Sequence, residues 1–260
     1  MVLENKVIAV VGVGPGLGRE VVRLALRDGA SVMLGARTVS RCAETASELD
    51  PDGTHTGSAA VDLDDQASVD SFVRAVVDRF GRLDGVAVVA ANVTTIGDAV
   101  TIDDAVWRAS FDTNVLGPLR VGRAVAAPIG VTGGGSIVLV GTQAAYDPKP
   151  GMAAYGVTKM GAQAGLMHYL ARELGVKRVR VNTVETSWML GPLVQGYMEM
   201  MAKAQGVDAA SIISGIAQGW PLADMPLDED VAEAVVFLLS DRARMITGQT
   251  LRVNAGEILA

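Results

Sequence analysis

The chain has 260 residues, half of them hydrophobic and 20% charged, with a formal net charge of −7. This length and composition predict a globular protein with one core. The acidic balance, without a dense Lys/Arg cluster, argues against a nucleic-acid partner. No apolar run is long enough to span a bilayer, and the single cysteine, Cys42, allows no internal disulfide. We expect a cytoplasmic protein without a membrane partner, and abundant alanine with more arginine than lysine favours a bacterial source.

Apolar runs of strand length alternate with helical patterns along almost the whole chain. Strands are predicted at Lys6–Val11, Val32–Ala36, 54–61, Val86–Ala91, Ser136–Val140, Val179–Val184 and Gln249–Val253. Helices are predicted at Arg19–Arg27, between the second strand and Leu49, at Ser68–Phe80 and at 153–174. Two more are predicted to begin at a capping box, Thr101–Asp104, and at Asp228. Repeated β-α-β units indicate an α/β fold of the Rossmann type, a doubly wound parallel sheet of about seven strands with helices on both faces.

One segment, 186–226, interrupts this alternation and is rich in Met, Gly and Pro. An insertion of this length after a strand is typically functional. We therefore expect a single domain over 1–260, with 186–226 as its substrate-binding lid.

A glycine-rich turn connects the first strand to the first helix. Its glycines Gly12, Gly16 and Gly18 have the spacing G-x-x-x-G-x-G, with Pro15 and Leu17 between them. Glycines let the backbone turn tightly and approach a pyrophosphate, which lies against the N–H groups of the helix N-terminus. An ordinary strand–helix turn is the alternative, and the position on the first strand of a doubly wound sheet favours the cofactor site.

The end of the second strand predicts which dinucleotide binds. An acidic residue there would hold the ribose 2′-hydroxyl of NAD, but the segment reads Gly35-Ala36-Arg37-Thr38. Because Arg forms bidentate pairs with phosphate, Arg37 favours NADP, with NAD possible. A solvated surface arginine is the alternative interpretation.

Tyr155 and Lys159 are four residues apart on a predicted helix and so share one face. A nearby ammonium favours the phenolate, so we expect Lys159 to lower the pKa of Tyr155. Such a pair can transfer a proton to or from a carbinol oxygen while a hydride moves to or from a nicotinamide.

With these motifs the chain resembles the short-chain dehydrogenase/reductase family over essentially its whole length. The positions that carry the resemblance are Gly12, Gly16, Gly18, Asp62-Leu63, Asn114, Tyr155, Lys159 and Thr247-Gly248-Gln249. The resemblance implies that Asp62 and Leu63 contact adenine, that Asn114 supports the lysine through a water, and that Tyr155 and Lys159 are catalytic. It also implies a homo-oligomer, a tetramer or a dimer.

Three positions depart from the family pattern. The catalytic serine expected thirteen residues before the tyrosine is Thr142, whose hydroxyl can polarise the substrate oxygen while its methyl group narrows the site. The Asn-Asn-Ala-Gly motif reads Val88-Val89-Ala90-Ala91, where Ala90 and Ala91 leave room for the cofactor. The Pro-Gly after the sixth strand is Thr186-Ser187.

The substrate is expected to contact Thr142, Gln143, Trp188 and Met189. The Met-rich lid favours a bulky apolar substrate, although an ordinary amphipathic helix would have the same composition. The two histidines, His55 and His168, are far apart in sequence, and no His/Cys/carboxylate cluster has metal-ligand spacing, so no metal is expected.

The favoured interpretation is an NADP-preferring oxidoreductase that interconverts a small-molecule secondary alcohol and ketone. Its catalytic residues would be Asn114, Thr142, Tyr155 and Lys159. A regulatory or scaffold protein that binds NADP and has weakened catalysis is the alternative, favoured by the altered residues at 88–91 and 186–187. A sugar-nucleotide epimerase or dehydratase would need a larger C-terminal domain than the short tail after Val253.

Overall fold

A computed structural model describes residues 1–131 and 133–259, and its centre is one parallel sheet in the order β3-β2-β1-β4-β5-β6-β7. The strands are β1 (Val7–Val11), β2 (Ser31–Ala36), β3 (Thr56–Ala60), β4 (Gly85–Val88), β5 (Gly135–Thr142), β6 (Val179–Thr186) and β7 (Thr250–Val253). The seven strands confirm the predicted doubly wound fold. The predicted ends of the fifth and sixth strands, Val140 and Val184, were two residues too early, because β5 and β6 pair as far as Thr142 and Thr186.

The helices fill the connections between the strands. They are α1 (Leu17–Arg27), α2 (Val39–Leu49), α3 (Gln66–Phe80), α4 (Asp104–Phe111), α5 (Gly117–Val125), α6 (Pro128–Val131), α7 (Ala153–Met160), α8 (Met167–Leu174), α9 (Pro192–Gln205), α10 (Ala209–Ala217) and α11 (Asp228–Leu239). Two π-helical segments, Asp112–Leu116 and Gly161–Leu166, join α4 to α5 and α7 to α8. The predicted helix 153–174 is therefore continuous, with a wider turn in its middle.

The predicted capping box at Thr101 was wrong. The residue that caps α4 is Asp103, whose carboxylate accepts a hydrogen bond from the backbone N–H of Ala105 at 2.7 Å. Thr101 lies in the preceding turn, where its N–H donates to the Asp98 carbonyl. Asp is as good an N-cap as Thr, so the sequence alone left the start of this helix uncertain by two residues.

Both faces of the sheet are buried, which explains why its central strands are continuous apolar runs. In β1, Ile8 and Val10 point into one hydrophobic cluster with α1 and α11. Val7, Ala9 and Val11 alternate with them and point into a second cluster with α3, α5 and α8. The sheet is thereby fixed between two layers of helices, and the carboxyl ends of its strands form a rigid edge.

Two helices, α9 and α10, lie within the segment 186–226 that was predicted as a lid. The Trp188 ring, which precedes α9, stacks on the Tyr197 ring of α9 with centroids 6.0 Å apart and an interplanar angle of 14°. Among the described residues, no helix is long and apolar enough to cross a membrane. Across the same ranges, no three His, Cys, Asp or Glu side chains are placed to hold a metal ion.

Candidate active site

The glycine-rich turn contributes Gly12 to the wall of a cleft at the carboxyl ends of β1 and β4. Gly12 has φ of +105°, and a Cβ atom there would lie 2.3 Å from the backbone nitrogen of Ala90. A Cβ atom on Gly18 would lie 2.3 Å from the Gly12 carbonyl oxygen. No side chain fits at either position, so the glycines are required for the close approach of β1, β4 and the start of α1. Gly16 precedes α1, Leu17 is its buried first residue, and Pro15 is exposed beside it.

This cleft has a volume of about 440 Å³ and lies where the strand order reverses, between β1 and β4. Its walls contain Gly12 and five of the residues predicted to bind a cofactor, namely Arg37, Asp62, Leu63, Ala90 and Ala91. In folds of this type a dinucleotide binds at this crevice, with its pyrophosphate at the N-terminus of α1. The bare backbone at Gly12 and the small side chains at 90 and 91 leave the space that such a ligand needs.

Thr142 is the last residue of β5 and is held there through its backbone. Its N–H donates to Oε1 of Gln163 at 2.7 Å, and its carbonyl accepts from Nε2 of Gln163 at 3.1 Å. Its hydroxyl accepts a hydrogen bond from the Ala144 N–H at 3.3 Å. Since Gln163 anchors the backbone, the side chain of Thr142 is left to face the cavity that it shares with Tyr155.

Tyr155 lies half-buried on α7, facing Thr142. Burial raises the pKa of the phenol above its ordinary value of 10, and the nearby Thr142 hydroxyl acts more weakly in the opposite direction. The expectation that Lys159 lowers this pKa was therefore wrong. The reason is desolvation, which disfavours the phenolate. At neutral pH the phenol carries its proton and can donate it.

Lys159 lies one helical turn after Tyr155 and is almost fully buried, with 6% of its surface exposed. Its Nζ donates to the carbonyl oxygen of Val140 in β5, two residues before Thr142. Burial lowers the pKa of this ammonium to about 8. The lysine therefore connects α7 to the strand that presents Thr142, and its charge changes close to neutral pH.

Asn114 lies in the π-helical segment between α4 and α5 and does not contact Lys159 directly. Its Oδ1 accepts from the N–H of Asn92 at 2.7 Å, and its Nδ2 donates to the Asn92 carbonyl at 3.1 Å and to the Thr158 hydroxyl at 3.2 Å. Asn114 thus joins the loop after β4 to the helix that carries both Tyr155 and Lys159. Insertions of this π-helical type often occur at functional sites.

A buried polar chain behind Thr142 could not be found from the sequence. Gln163 donates through Nε2 to Glu185 at 2.9 Å, and Arg252 donates through Nε to the other carboxylate oxygen at 2.9 Å. Glu185 is fully buried, which raises its pKa, while the nearby Arg252 guanidinium acts to lower it. The arginine also lies over the Tyr146 ring, 5.0 Å from its centroid. The π-helical segment after α7, together with β6 and β7, thereby holds the end of β5 in place. The only sequence signal is that Gln163 lies one turn after Lys159.

The second cavity of the site has a volume of about 220 Å³ and opens beside the first, since Val93 lines both. Two catalytic candidates, Thr142 and Tyr155, lie in its wall. The other residues that line it are Gln143, Ala144, Asp147, Lys149, Met152, Ser187, Trp188 and Glu257. Of the four predicted substrate contacts, Met189 does not line this cavity but packs against the hydrophobic core. The cavity wall therefore combines apolar surface with the polar side chains of Gln143, Ser187 and Glu257.

Thr186, at the end of β6, stands where the family pattern has proline. It is paired in register with Thr142, and its buried hydroxyl has no hydrogen-bond partner among the described residues. An unsatisfied buried hydroxyl costs free energy, so we expect a bound ligand to supply the hydrogen-bond partner of the Thr186 hydroxyl. The amide of a nicotinamide is of the right chemistry to pair with it.

Comparison with known proteins agrees with this fold. Residues 12–257 match the family model described as enoyl-(acyl carrier protein) reductase. The chain is 33% identical to the monensin polyketide synthase putative ketoacyl reductase of Streptomyces virginiae, over 97% of each protein. A short-chain type dehydrogenase/reductase from Mycobacterium ulcerans is 31% identical and superposes with a TM-score of 0.87, covering 98% of this chain and 90% of that one. L-sorbose reductase from Gluconobacter frateurii, solved with NADPH and L-sorbose, is 25% identical with a TM-score of 0.93 over both complete chains.

Proposed function

Because the chain belongs to the short-chain dehydrogenase/reductase family of oxidoreductases, we propose that it interconverts a secondary alcohol and a ketone, with NADP preferred to NAD. One observation carries the proposal. Thr142 and Tyr155 face one cavity at the carboxyl end of β5, beside the cleft lined by Gly12, and the Lys159 ammonium binds the Val140 carbonyl two residues before Thr142. A regulatory protein that only binds the dinucleotide would have no need for this group of side chains.

The proposed chemistry assigns a separate task to each side chain. The bound dinucleotide would supply or accept the hydride. Tyr155, which burial keeps protonated at neutral pH, would donate its proton to the carbonyl oxygen during reduction. The Thr142 hydroxyl would orient that oxygen and stabilise its developing charge. Lys159 would hold the ribose and help to return a proton to Tyr155, and Asn114 would support that relay by holding the loop after β4 against α7.

Three groups of residues in or beside the cleft would hold the dinucleotide. The turn at Gly12, Gly16 and Gly18 would accommodate the pyrophosphate, and Asp62 and Leu63 would lie against the adenine. Arg37 is exposed at the rim of the cleft, and no carboxylate of the described chain pairs with it. Its guanidinium is therefore available for a ribose 2′-phosphate, which supports NADP. The relative solved with NADPH shows that a protein of this fold binds that cofactor.

The direct test is a screen of ketones and alcohols with both dinucleotides, following the absorbance of the reduced nicotinamide. Turnover of a ketone with NADPH supports the proposal. Tight dinucleotide binding without turnover of any carbonyl compound would favour the regulatory alternative.

Replacing Arg37 with Ala is expected to raise the KM for NADPH by about 10- to 100-fold and to leave the KM for NADH nearly unchanged. The reason is the loss of a charge-assisted contact with the 2′-phosphate, worth roughly 1.5–3 kcal/mol. Steady-state kinetics with each cofactor measures the effect. Arg74→Ala, which removes an exposed arginine from α3, is the matched control. An equal rise in the KM for NADPH and for NADH would show that Arg37 does not bind the 2′-phosphate.

We further propose that the segment 186–226 is the lid of the substrate cavity and that the protein acts in the cytoplasm of a bacterium. Trp188 lies in the wall of the cavity and stacks on Tyr197 of α9, so movement of α9 would change the shape of the cavity.

The proposed cytoplasmic location is supported by the single cysteine, Cys42, which is buried in the core, as suits a reducing compartment.

A homo-oligomer, a tetramer or a dimer, is also proposed. An apolar groove of about 570 Å³ lies between α4, the following π-helical segment and α7, and Phe111 and Val157 in its wall are 49% and 60% exposed. We expect light scattering to give an oligomer for the wild type and a smaller species for Val157→Glu, because the charge would be buried in the interface. Val100→Glu, at an exposed loop residue, is the control. A monomeric wild type would contradict the proposal.

A further inference from the structure

The substrate cavity contains a donor and an acceptor that the mechanism above does not use. The Nε2 atom of Gln143 and the Oε2 atom of Glu257 are buried, and neither has a hydrogen-bond partner among the described residues. Both residues line the cavity of Thr142 and Tyr155, and Gln143 as a whole is only 2% exposed. Leaving such buried groups unpaired costs free energy, so the two atoms call for a polar ligand.

The orientation of the Gln143 amide is determined by its neighbours. Asn254 donates through Nδ2 to Oε1 of Gln143 at 2.9 Å and to the Ile258 carbonyl at 3.1 Å. Its own Oδ1 accepts from the Gly256 N–H at 3.0 Å. The two backbone partners define which end of the Asn254 amide is the donor, and this places the Gln143 oxygen toward Asn254. The group left over for the cavity is therefore the Gln143 NH₂, a donor.

Glu257 contributes an acceptor from a different part of the chain. It follows β7 in the C-terminal tail, where its N–H donates to the Asn254 carbonyl at 2.9 Å. No cation of the described chain pairs with its carboxylate. The other two charged residues of the cavity, Asp147 and Lys149, contact one another and are partly exposed. The cavity thus has one carboxylate without a cationic partner, which disfavours anionic substrates and leaves an acceptor for a group that donates a hydrogen bond.

A hydroxyl group has the chemistry that these two atoms require, since it can donate to a carboxylate and accept from an amide. We propose that the substrate is a neutral hydroxyketone, with a hydroxyl group on a carbon close to the carbonyl, and in the reverse direction the corresponding diol. The carbonyl oxygen lies against Thr142 and Tyr155, and the hydroxyl group binds Gln143 and Glu257. This proposal rests on the proposed function and narrows its substrate class from ketones in general.

The test compares 2-hydroxycyclohexanone with cyclohexanone, which differ only in the hydroxyl group. With the wild-type enzyme and NADPH, we expect kcat/KM to be roughly 10- to 100-fold higher for the hydroxyketone, the effect of a hydrogen bond to a charged group. In Glu257→Gln and in Gln143→Met this ratio should fall toward one. Glu4→Gln, an exposed residue at the amino end of β1 on the opposite edge of the sheet, should keep the wild-type ratio. Two variants are used so that a folding defect in one leaves the other informative.

Two kinetic results would overturn the proposal while the proposed function stands. One is equal kcat/KM for the two ketones in the wild type. The other is a clear preference for an acetoacetyl thioester over the hydroxyketone, as a carrier-protein substrate would give.

A binding measurement separates failure of the proposal from failure of the proposed function. Isothermal calorimetry compares 1,2-cyclohexanediol with cyclohexanol on the wild type and on Glu257→Gln. Should no carbonyl compound be reduced, the proposed function fails. Tighter binding of the diol, lost in Glu257→Gln, would still support the hydroxyl site, and equal binding of the two alcohols would overturn it.

Discussion

Replacement of Tyr155 with Phe is expected to lower kcat for ketone reduction by about 10²–10⁴-fold, the usual contribution of a positioned general acid. The phenol is the protonated group that faces Thr142 across the cavity, and burial raises its pKa, so it holds the proton that the carbonyl oxygen needs. The ring stays in place in the variant, and we expect the urea midpoint of unfolding and the Kd for NADPH to change little. Stopped-flow and steady-state kinetics measure the rate.

Tyr146→Phe is the matched control, because Tyr146 follows the same end of β5 but does not line the cavity. Wild-type turnover in Tyr155→Phe would remove Tyr155 from the mechanism.

The pH dependence of the rate tests the role of Lys159. Since burial lowers the pKa of Lys159 to about 8, its ammonium is charged below that pH and neutral above it. Reduction by the wild type should therefore decline as pH rises through about 8.

Replacement of Thr142 with Val is expected to lower kcat by about 10²–10³-fold on every ketone, because one lost hydrogen bond to the developing oxygen charge has this effect. Valine keeps the branched shape. The backbone of residue 142 is held through its N–H and carbonyl by Gln163, so the strand end should stay in position. Kinetics on a series of ketones, with circular dichroism to verify the fold, measures the loss.

Thr142→Ser completes the comparison, since it keeps the hydroxyl group and removes the methyl group. Activity should persist and extend to bulkier ketones. The serine hydroxyl also keeps the acceptor for the Ala144 N–H, which valine loses. If Thr142→Val retained most of the activity, another donor, with Gln143 the nearest in sequence, would have to orient the carbonyl oxygen.

Much of the site was predictable because it depends on residues that are close in sequence. The glycine-rich turn follows directly from a buried strand, and Tyr155 and Lys159 share a face because they are one helical turn apart. Thr142 lies two residues after an apolar run, so its place near the carboxyl end of β5 follows from that run. The Rossmann-type fold is predicted by the alternation of apolar runs and helical patterns, which is a local property of the chain.

The tertiary structure alone decided which distant residues meet at that edge. Glu185 and Arg252 are 67 residues apart, and Gln143 and Asn254 are 111 apart, yet each pair forms a hydrogen bond. No local pattern predicts such pairs, because parallel strands are joined by crossovers of a dozen or more residues and the partner is determined by strand order. For the same reason the pKa of Tyr155 could not be inferred from the i, i+4 lysine. Desolvation by the surrounding fold exceeds the effect expected of that neighbour.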